Sequence, residues 1–280
     1  MTVAVVVDSA ASLPAELIDQ YRIVVVPMTL VIDGEPRSDS SVSLDELVGQ
    51  LQTGRVTTSG PAPGDFATGI ARARREADQV LVLTVSAEMS STYATAVLAS
   101  KLEGASVRVL DTRTAAGGEG LVALAAARRA LAGAALDDVE TTARMVMERV
   151  RLVATLDDLD HLARSGRVPN LARRATSALH VKPLFEFRDG TAHALAPAHG
   201  ERAARRRIVE RCLADRPAEG AAHLHVVALD AQATGRAQLL LDDVLAEVAD
   251  ADWFVGSFGP VMLVHVGPGV SGLAWWWEPL

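Results

Sequence analysis

The sequence predicts an α/β protein of two domains, on the basis of its length and of two different strand patterns. The chain has 280 residues, of which 49% are hydrophobic and 22% charged, as is ordinary for a folded protein of one or two domains. In the first half, apolar strands alternate with helices, which predicts a parallel sheet with helices on both faces. The second half holds six candidate strands, some joined by tight turns, which predicts a mixed sheet. We place the two domains at residues 1–147 and 148–280.

The N-terminal domain is predicted as an α/β/α layer around four parallel strands. These are short β-branched runs, each followed by a polar turn and a helix, at residues 2–7, 23–26, 80–84 and 107–110. The Asp33-Gly34 dipeptide predicts a hairpin between residues 28–32 and 35–38. The polar segment 57–61 is interpreted as a break in the chain before a helix at 63–76.

The C-terminal domain is predicted as a six-stranded mixed sheet with helices on one face. The strands are expected at residues 151–156, 183–187, 191–196, 223–229, 253–257 and 262–266, and the helices at 157–165, 199–214 and 234–248. The Arg188-Asp189-Gly190 and Gly259-Pro260 turns predict antiparallel pairing of the strands on either side of them. Because no long linker separates the halves, we expect them to pack closely around a cleft.

Composition excludes several classes of function. A net charge of -8 argues against non-specific nucleic-acid binding, and the three arginines at 205–207 have acidic neighbours typical of a solvated helix. The single cysteine, Cys212, excludes a disulfide framework and fits a cytoplasmic location. The apolar runs are shorter than the roughly 20 residues of a membrane-spanning helix. The sequence also lacks the P-loop motif G-x-x-x-x-G-K-[ST] and the hydrolase motif G-x-S-x-G.

Hydroxyl and carboxylate side chains follow several of the predicted strands. In a parallel sheet such turns meet at the carboxyl edge, where ligands bind. Hydroxyls there either cap the helix that follows or, with free N–H groups, bind an anion, and both interpretations stay open. The residues concerned are Asp8, Ser9, Thr58, Ser59, Ser90, Ser91, Thr92 and Asp111.

Four further features of the sequence are candidate sites. Arg167 follows a helix-terminating glycine and suits a carboxylate or phosphate, and His265 lies at the end of a predicted strand beside a glycine turn. The G-x-G-x-x-G match at residues 267–272 leaves too few residues for a dinucleotide-binding unit. His223 and His225 share one strand face, but no carboxylate or thiolate lies at ligand spacing in the sequence. We therefore expect no metal there.

Seven short motifs, in order along the chain, resemble those of the DegV family. V-D-S-A-A-S-L-P at residues 7–14 is similar to the family's T-D-S-T-A-D-L-P, and T-S-G-P-A-P-G-D-F at 58–66 to T-S-Q-P-S-P-x-x-F. S-S-T-Y at 90–93 resembles S-G-T-Y, and V-L-D-T at 109–112 resembles V-[IV]-D-[ST]. L-D-H-L-A-R-S-G-R-V at 159–168, V-K-P-L at 181–184 and H-V-G-P-G at 265–269 complete the series. The resemblance covers essentially the whole chain.

This resemblance implies a function. DegV proteins are bacterial fatty-acid-binding proteins that act in phospholipid metabolism as the lipid-carrying subunit of fatty acid kinase. The resemblance implies that the acyl chain is buried between the two domains and that the carboxylate is held at Thr58 and at the Ser90, Ser91 and Thr92 turn, with Arg167 and His265 nearby. Asp8, Ser9, Ser59, Asp111, Gly267 and Gly269 are expected to support these loops. Gly60 stands where the family has glutamine, Ser91 where it has glycine and Ala10 where it has threonine.

We therefore expect a cytoplasmic carrier of a long-chain fatty acid such as palmitate or oleate. The partner kinase would bind ATP, and this chain would need no cofactor. Two alternatives remain open. One is a carrier of another amphipathic anion, and the other is an acyl-group transferase or hydrolase that uses Ser90 or His265.

Overall fold

The computed structural model describes residues 1–101, 103–157, 159–166, 181–218, 220–233 and 235–279. Within these ranges, thirteen strands form three sheets of four, six and three strands. The predicted α/β class is confirmed, with a four-stranded parallel sheet and a six-stranded mixed sheet. The third sheet is not predicted by the sequence. No helix in the described ranges is long and apolar enough to cross a membrane.

The parallel sheet has the strand order β2-β1-β6-β7, and each neighbouring pair is parallel. Its strands are β1 (Val3–Asp8), β2 (Val24–Val26), β6 (Gln79–Thr84) and β7 (Val107–Asp111). A short helix, α1 (Ala15–Gln20), connects β1 to β2. Helices α3 (Pro63–Ala73) and α4 (Thr92–Ser100) pack on one face, and α5 (Gly117–Leu131) and α6 (Leu136–Arg149) pack on the other. Both faces are therefore buried, as the almost wholly apolar strands predict.

The three-stranded antiparallel sheet has the order β4-β3-β5. Strands β3 (Thr29–Ile32) and β4 (Glu35–Ser38) are the predicted hairpin, and α2 (Leu44–Thr53) leads from them to β5 (Val56–Ser59). The prediction of a chain break at residues 57–61 is wrong, because most of this segment belongs to β5. The strand alternates between half-buried and exposed residues, and its backbone pairs with β3, which is remote in sequence.

The mixed sheet has the order β10-β9-β8-β13-β11-β12, and only the β11–β12 pair is parallel. Its strands are β8 (Arg151–Thr155), β9 (Val181–Arg188), β10 (Thr191–His199), β11 (Ala222–Ala231), β12 (Ala251–Ser257) and β13 (Val270–Pro279). The helices around it are α7 (Asp160–Ser165), α8 (Glu201–Ala214), α9 (Arg236–Leu245) and α10 (Pro260–Val266). The predicted β9–β10 hairpin is confirmed.

The sixth strand was predicted in the wrong place. Residues 262–266 form the end of helix α10, so Gly259-Pro260 begins a helix and does not join two antiparallel strands. The true sixth strand is β13, which follows Gly267-Pro268-Gly269. A run of five residues that is apolar except for His265 has no periodicity that separates a strand from a buried helix, and Pro260 in the first turn favours the helix.

Helices cover both faces of the mixed sheet, so the prediction of helices on one face is wrong. Trp275 and Trp277 of β13 pack into the core beneath α8 and α9, whereas Trp276 points to the opposite face. Helix α5 packs on that opposite face and also contacts β1 of the parallel sheet. One hydrophobic cluster therefore continues from one sheet to the other through α5. The domain boundary at residue 147 stays a prediction.

Candidate functional site

A cavity of about 300 Å³ is lined by residues from, or shortly after, strands of all three sheets and by residues of helices α7 and α10. Its walls are mostly apolar, and three of the lining residues, Leu152, Phe187 and Ala192, form a row across β8, β9 and β10. Phe258 and Val261 close another side. A cavity of this volume and character is typical of small-ligand sites, which are mostly apolar with a few polar groups that orient the ligand.

The polar residues that line the cavity coincide with residues predicted from the sequence, although the Ser59 side chain shares the exposed side of β5 with Thr57. They are Thr58, Ser59, Ser90, Ser91 and His265. Strand β5 contributes the first two, the turn before α4 contributes both serines, and the last turn of α10 contributes the histidine. The structure thus gathers five predicted site residues around one cavity.

Thr58 and His265 contact each other directly. The Oγ1 atom of Thr58 lies 2.9 Å from Nε2 of His265. Strand β5 turns Thr58 inward and its neighbour Thr57 outward, as the alternation of a strand requires. Although His265 was predicted at the end of a strand, it lies in a helix, where its half-buried ring still reaches the cavity.

Ser90 is held in place by Thr92. The hydroxyl oxygens of the two residues are 2.7 Å apart, and the Thr92 N–H donates to Ser90 Oγ at 3.3 Å. Thr92 is fully buried as the first residue of α4 and does not line the cavity. Ser90 lines it, next to the first-turn N–H groups of α4, which have no acceptor within the helix. Thr92 therefore acts on the cavity through Ser90.

Gly60 allows β5 to approach this turn. A Cβ atom on Gly60 would lie 2.7 Å from Thr92 Oγ1 and 3.3 Å from Ser90 Oγ. The first distance is too short for any side chain without movement of Thr92. The absence of a side chain at position 60 thus lets Thr58 and Ser90 face the same cavity.

The predicted supporting carboxylates hold the loops behind the cavity. Asp8 is completely buried and accepts hydrogen bonds from the N–H groups of Ala10 (3.0 Å) and Val85 (2.8 Å), both of which line the cavity. Burial is the main cause that raises the pKa of Asp8 to about 7. Asp111 accepts hydrogen bonds from the N–H groups of Ala87 and Arg113 and so orders the turn after β6.

Ser9, Gly267 and Gly269 also lie in loops that support the cavity, as predicted from the sequence. The Ser9 hydroxyl donates to Asp39 and accepts from the N–H of Met28, a residue of the cavity wall. Gly267 and Gly269 have φ angles of +78° and +84°, a backbone region that favours glycine. They lie in the turn between α10, which ends at Val266, and β13, which begins at Val270.

Arg167, the predicted cation, lies outside the described residues. The apolar walls were missed by the sequence analysis, although Phe185 and Phe187 repeat with the period of two typical of a strand face. Phe258 follows β12 as a single apolar residue, and no sequence pattern marks it as a wall of this cavity.

A larger cavity, of about 570 Å³, lies between α5, α6 and the mixed sheet. Its lining is more charged and includes Arg128, His225, Asp252 and Glu278. Although no carboxylate lies at ligand spacing from His225 in the sequence, β12 places Asp252 beside it in the sheet. We assign the candidate site to the smaller cavity because its apolar walls and single polar end suit an amphipathic ligand.

These features define an α/β protein of three sheets with an apolar cavity whose polar residues are hydroxyl groups and a histidine. The model of the DegV family, a family of uncharacterised proteins, matches residues 2–278, and the chain belongs to this family. A DegV domain-containing protein of Streptomyces coelicolor is 36% identical over 277 residues, which cover 97% of each chain.

Solved structures agree with this assignment. A DegV family protein from Thermus thermophilus, described by its fatty acid binding, superposes with a TM-score of 0.92 at 27% identity, with complete coverage of both chains. A Thermotoga maritima protein, whose structure is described as revealing a fatty acid binding function, has a TM-score of 0.85 at 27% identity, also over both complete chains.

Proposed function

We propose that this protein binds a long-chain fatty acid in the 300 Å³ cavity, with the carboxylate at Thr58 and Ser90 and the acyl chain along the apolar walls. The observation that carries the proposal is the grouping of hydroxyls and His265 at one end of an otherwise apolar cavity. The fatty-acid-binding relatives from Thermus and Thermotoga support the same ligand class.

The polar end suits a carboxylate. When His265 carries its hydrogen on Nε2, the ring donates to Thr58 Oγ1 and leaves the Thr58 hydroxyl hydrogen to point at the ligand. When Thr92 donates to Ser90, the Ser90 hydroxyl can do the same. Hydrogen bonds to a charged acceptor are stronger than those between neutral groups, and the α4 N-terminus adds a favourable dipole. Ser91, at the same end, offers a third hydroxyl.

The apolar walls supply most of the binding free energy. Each buried methylene contributes about 0.8 kcal/mol, so a chain of about 16 carbons such as palmitate binds tightly even before its head group is counted. Arg167 is proposed as the cation that offsets the cost of burying the carboxylate.

We further propose that the protein presents its fatty acid to a separate kinase, which forms the acyl phosphate. An acyl phosphate is also an oxyanion, so the hydroxyls and helix N-terminus that suit the carboxylate suit this product. The proposal rests on the family resemblance, and phosphorylation of the bound lipid by a cognate kinase with ATP is its direct test.

The alternative is an acyl-group transferase or hydrolase that uses Ser90 or His265. The contacts favour a binding role, since Ser90 is engaged by Thr92, and Nε2 of His265, the atom that would act as the base, contacts Thr58. The other alternative, a carrier of a different amphipathic anion, would use the same cavity and differ from the proposed function only in its ligand.

The test begins with native mass spectrometry of the purified protein, followed by solvent extraction and lipid identification. We expect one bound fatty acid such as palmitate or oleate. A protein that is empty and also takes up neither added lipid would overturn the proposal. Ser90→Ala separates the two classes, because a carrier loses affinity or kinase-coupled phosphorylation, whereas an enzyme loses turnover with binding intact. Thr57→Val, on the outer side of β5, is the matched control.

A further inference from the structure

A second group of functional side chains lies on the mixed sheet, away from the fatty acid cavity. His223 and His225 are on the same face of β11. In the sheet register, Asp252 of β12 is directly beside His225, and Glu278 of β13 is directly beside His223. Three neighbouring strands therefore bring two imidazoles and two carboxylates to one place.

The donor atoms are spaced for one small cation. Nδ1 of His225 is 3.3 Å from Oδ2 of Asp252, and Nε2 of His223 is 3.6 Å from Oδ1 of the same residue. One ligand atom from each of the three residues lies within 4.8 Å of the others. Nitrogen and oxygen ligands bind zinc at about 2.1 Å, which places tetrahedral ligands about 3.4 Å apart. The two nitrogen–oxygen distances, which involve different oxygens of Asp252, are close to that edge length, and the 4.8 Å limit for the whole set leaves a small contraction to be made on binding.

The second nitrogen of each ring faces another carboxylate. Nε2 of His225 is 2.9 Å from Oε2 of Glu278, and Nδ1 of His223 is 3.8 Å from Asp250. Metal-binding histidines commonly donate their other N–H to a carboxylate, which fixes the tautomer and turns the free lone pair toward the ion. The ring of His225 is also stacked on Trp276, with centroids 4.4 Å apart and planes at 4°.

We propose that His223, His225 and Asp252 form a binding site for a divalent transition-metal ion, zinc by preference. Two imidazoles and one carboxylate are a ligand set that zinc uses where a fourth position is left for water or a ligand. His225 and Asp252 line the 570 Å³ cavity, from which a fourth ligand could reach the ion. This site is independent of the proposed fatty acid binding.

Arg128 competes with a cation for the Asp252 carboxylate. Its guanidinium donates to Oδ2 of Asp252 at 2.5 Å, so it neutralises the carboxylate that the metal requires. The Arg128 side chain is 40% exposed and can move into the cavity. A bound dication repels this guanidinium, and metal binding therefore exchanges it for the ion.

The experiment is calorimetric titration of the chelator-treated full chain with zinc chloride, repeated with magnesium chloride. We expect one zinc per chain and no magnesium binding. Cobalt chloride gives a second readout, because tetrahedral cobalt has characteristic visible absorption bands. His223→Gln and Asp252→Asn should abolish both signals, whereas His199→Gln, at an exposed histidine of β10, should leave them unchanged.

Two further variants test the surroundings of the site. Glu278→Gln should weaken zinc about 10- to 100-fold, the usual effect of losing a carboxylate behind a histidine ligand. Arg128→Gln should strengthen zinc binding, because it removes the competing cation. Wild-type protein that binds no zinc would overturn the proposal. So would His223→Gln protein that is folded by circular dichroism and still binds zinc as wild type does. Either result would leave an ion-pair network only.

Discussion

Thr58 Oγ1 lies 2.9 Å from His265 Nε2, although the two residues are 207 positions apart in the chain. Thr58 belongs to the small sheet of the first half, and His265 to a helix that precedes the last strand. The polar end of the cavity therefore exists only when the two halves of the chain are packed together. Ligand binding and the packing of the halves are consequently coupled.

Thr58→Val tests the first hydroxyl of the proposed carboxylate site. Valine keeps the shape of threonine but cannot donate a hydrogen bond to the ligand. Hydrogen bonds to charged groups contribute about 1.5–3 kcal/mol, so affinity for palmitate should fall roughly tenfold to a hundredfold. Calorimetry on delipidated protein measures the change. Thr57→Val, on the exposed side of the same strand, should bind like wild type, and equal losses in both variants would contradict the site.

Gly60→Ala tests the close approach of β5 to the turn before α4. The added carbon would lie 2.7 Å from Thr92 Oγ1 and displace the hydroxyls of Thr92 and Ser90. We expect weaker fatty acid binding and a free energy of unfolding lower by about 1–3 kcal/mol, as for other overpacked sites. Gly64→Ala has open space around its Cβ and lies in α3, so it should leave binding unchanged and stabilise slightly. Unaltered palmitate affinity in Gly60→Ala would refute this role.

Ala192→Leu tests which wall meets the acyl chain. Ala192 pairs with Phe187 across the strands and lines the cavity, so a larger side chain there shortens the space for the ligand. The preferred chain should become about two to three methylenes shorter, at about 0.8 kcal/mol for each methylene excluded. Competition among fatty acids of graded length provides the measurement. Ala194→Leu, on the same strand but outside the cavity lining, is the control, and an unshifted length profile in Ala192→Leu argues against this wall.

Glu119 should make stability depend on pH. It is completely buried, and neither carboxyl oxygen has a hydrogen-bond partner among the described residues. Burial, followed by the charges of Asp8 and Asp111, raises its pKa well above the ordinary value of 4.5. The folded protein therefore keeps a proton that the unfolded chain loses above about pH 4.5. Hence the free energy of unfolding falls as pH rises above about 4.5, up to the raised pKa of Glu119 in the folded protein.

Glu119→Gln should reduce that dependence. The amide carries no titrating proton, so the slope should become shallower by up to about 1.4 kcal/mol per pH unit. Urea unfolding between about pH 5 and pH 8 measures it. Asp8, with a pKa of about 7, contributes a slope of the same sign that remains in the variant. Glu16→Gln, at an exposed position, should leave the slope unchanged, and a slope in Glu119→Gln equal to that of wild type would show that Glu119 is charged in the folded state.

Local patterns predicted the parallel sheet and missed the elements whose partners are remote. The apolar runs of β1 and β6 can be buried only as strands between helices, so their identity is visible in the sequence. Strand β5 is polar and becomes a strand through its pairing with β3. Residues 262–266 are apolar except for His265, a pattern that suits either a buried strand or a buried helix, and the fold places them in α10.

By itself, the sequence determined the fold class, the family motifs and most of the polar residues at the cavity, because these depend on residue type and local spacing. Only the tertiary structure decided that Thr58 meets His265, that Phe258 closes a wall, and that Asp252 lies beside His225. Each of these contacts joins segments whose separation along the chain carries no information about their distance in space. Strand order and helix packing, which arise from burial of the whole apolar surface at once, determine that distance.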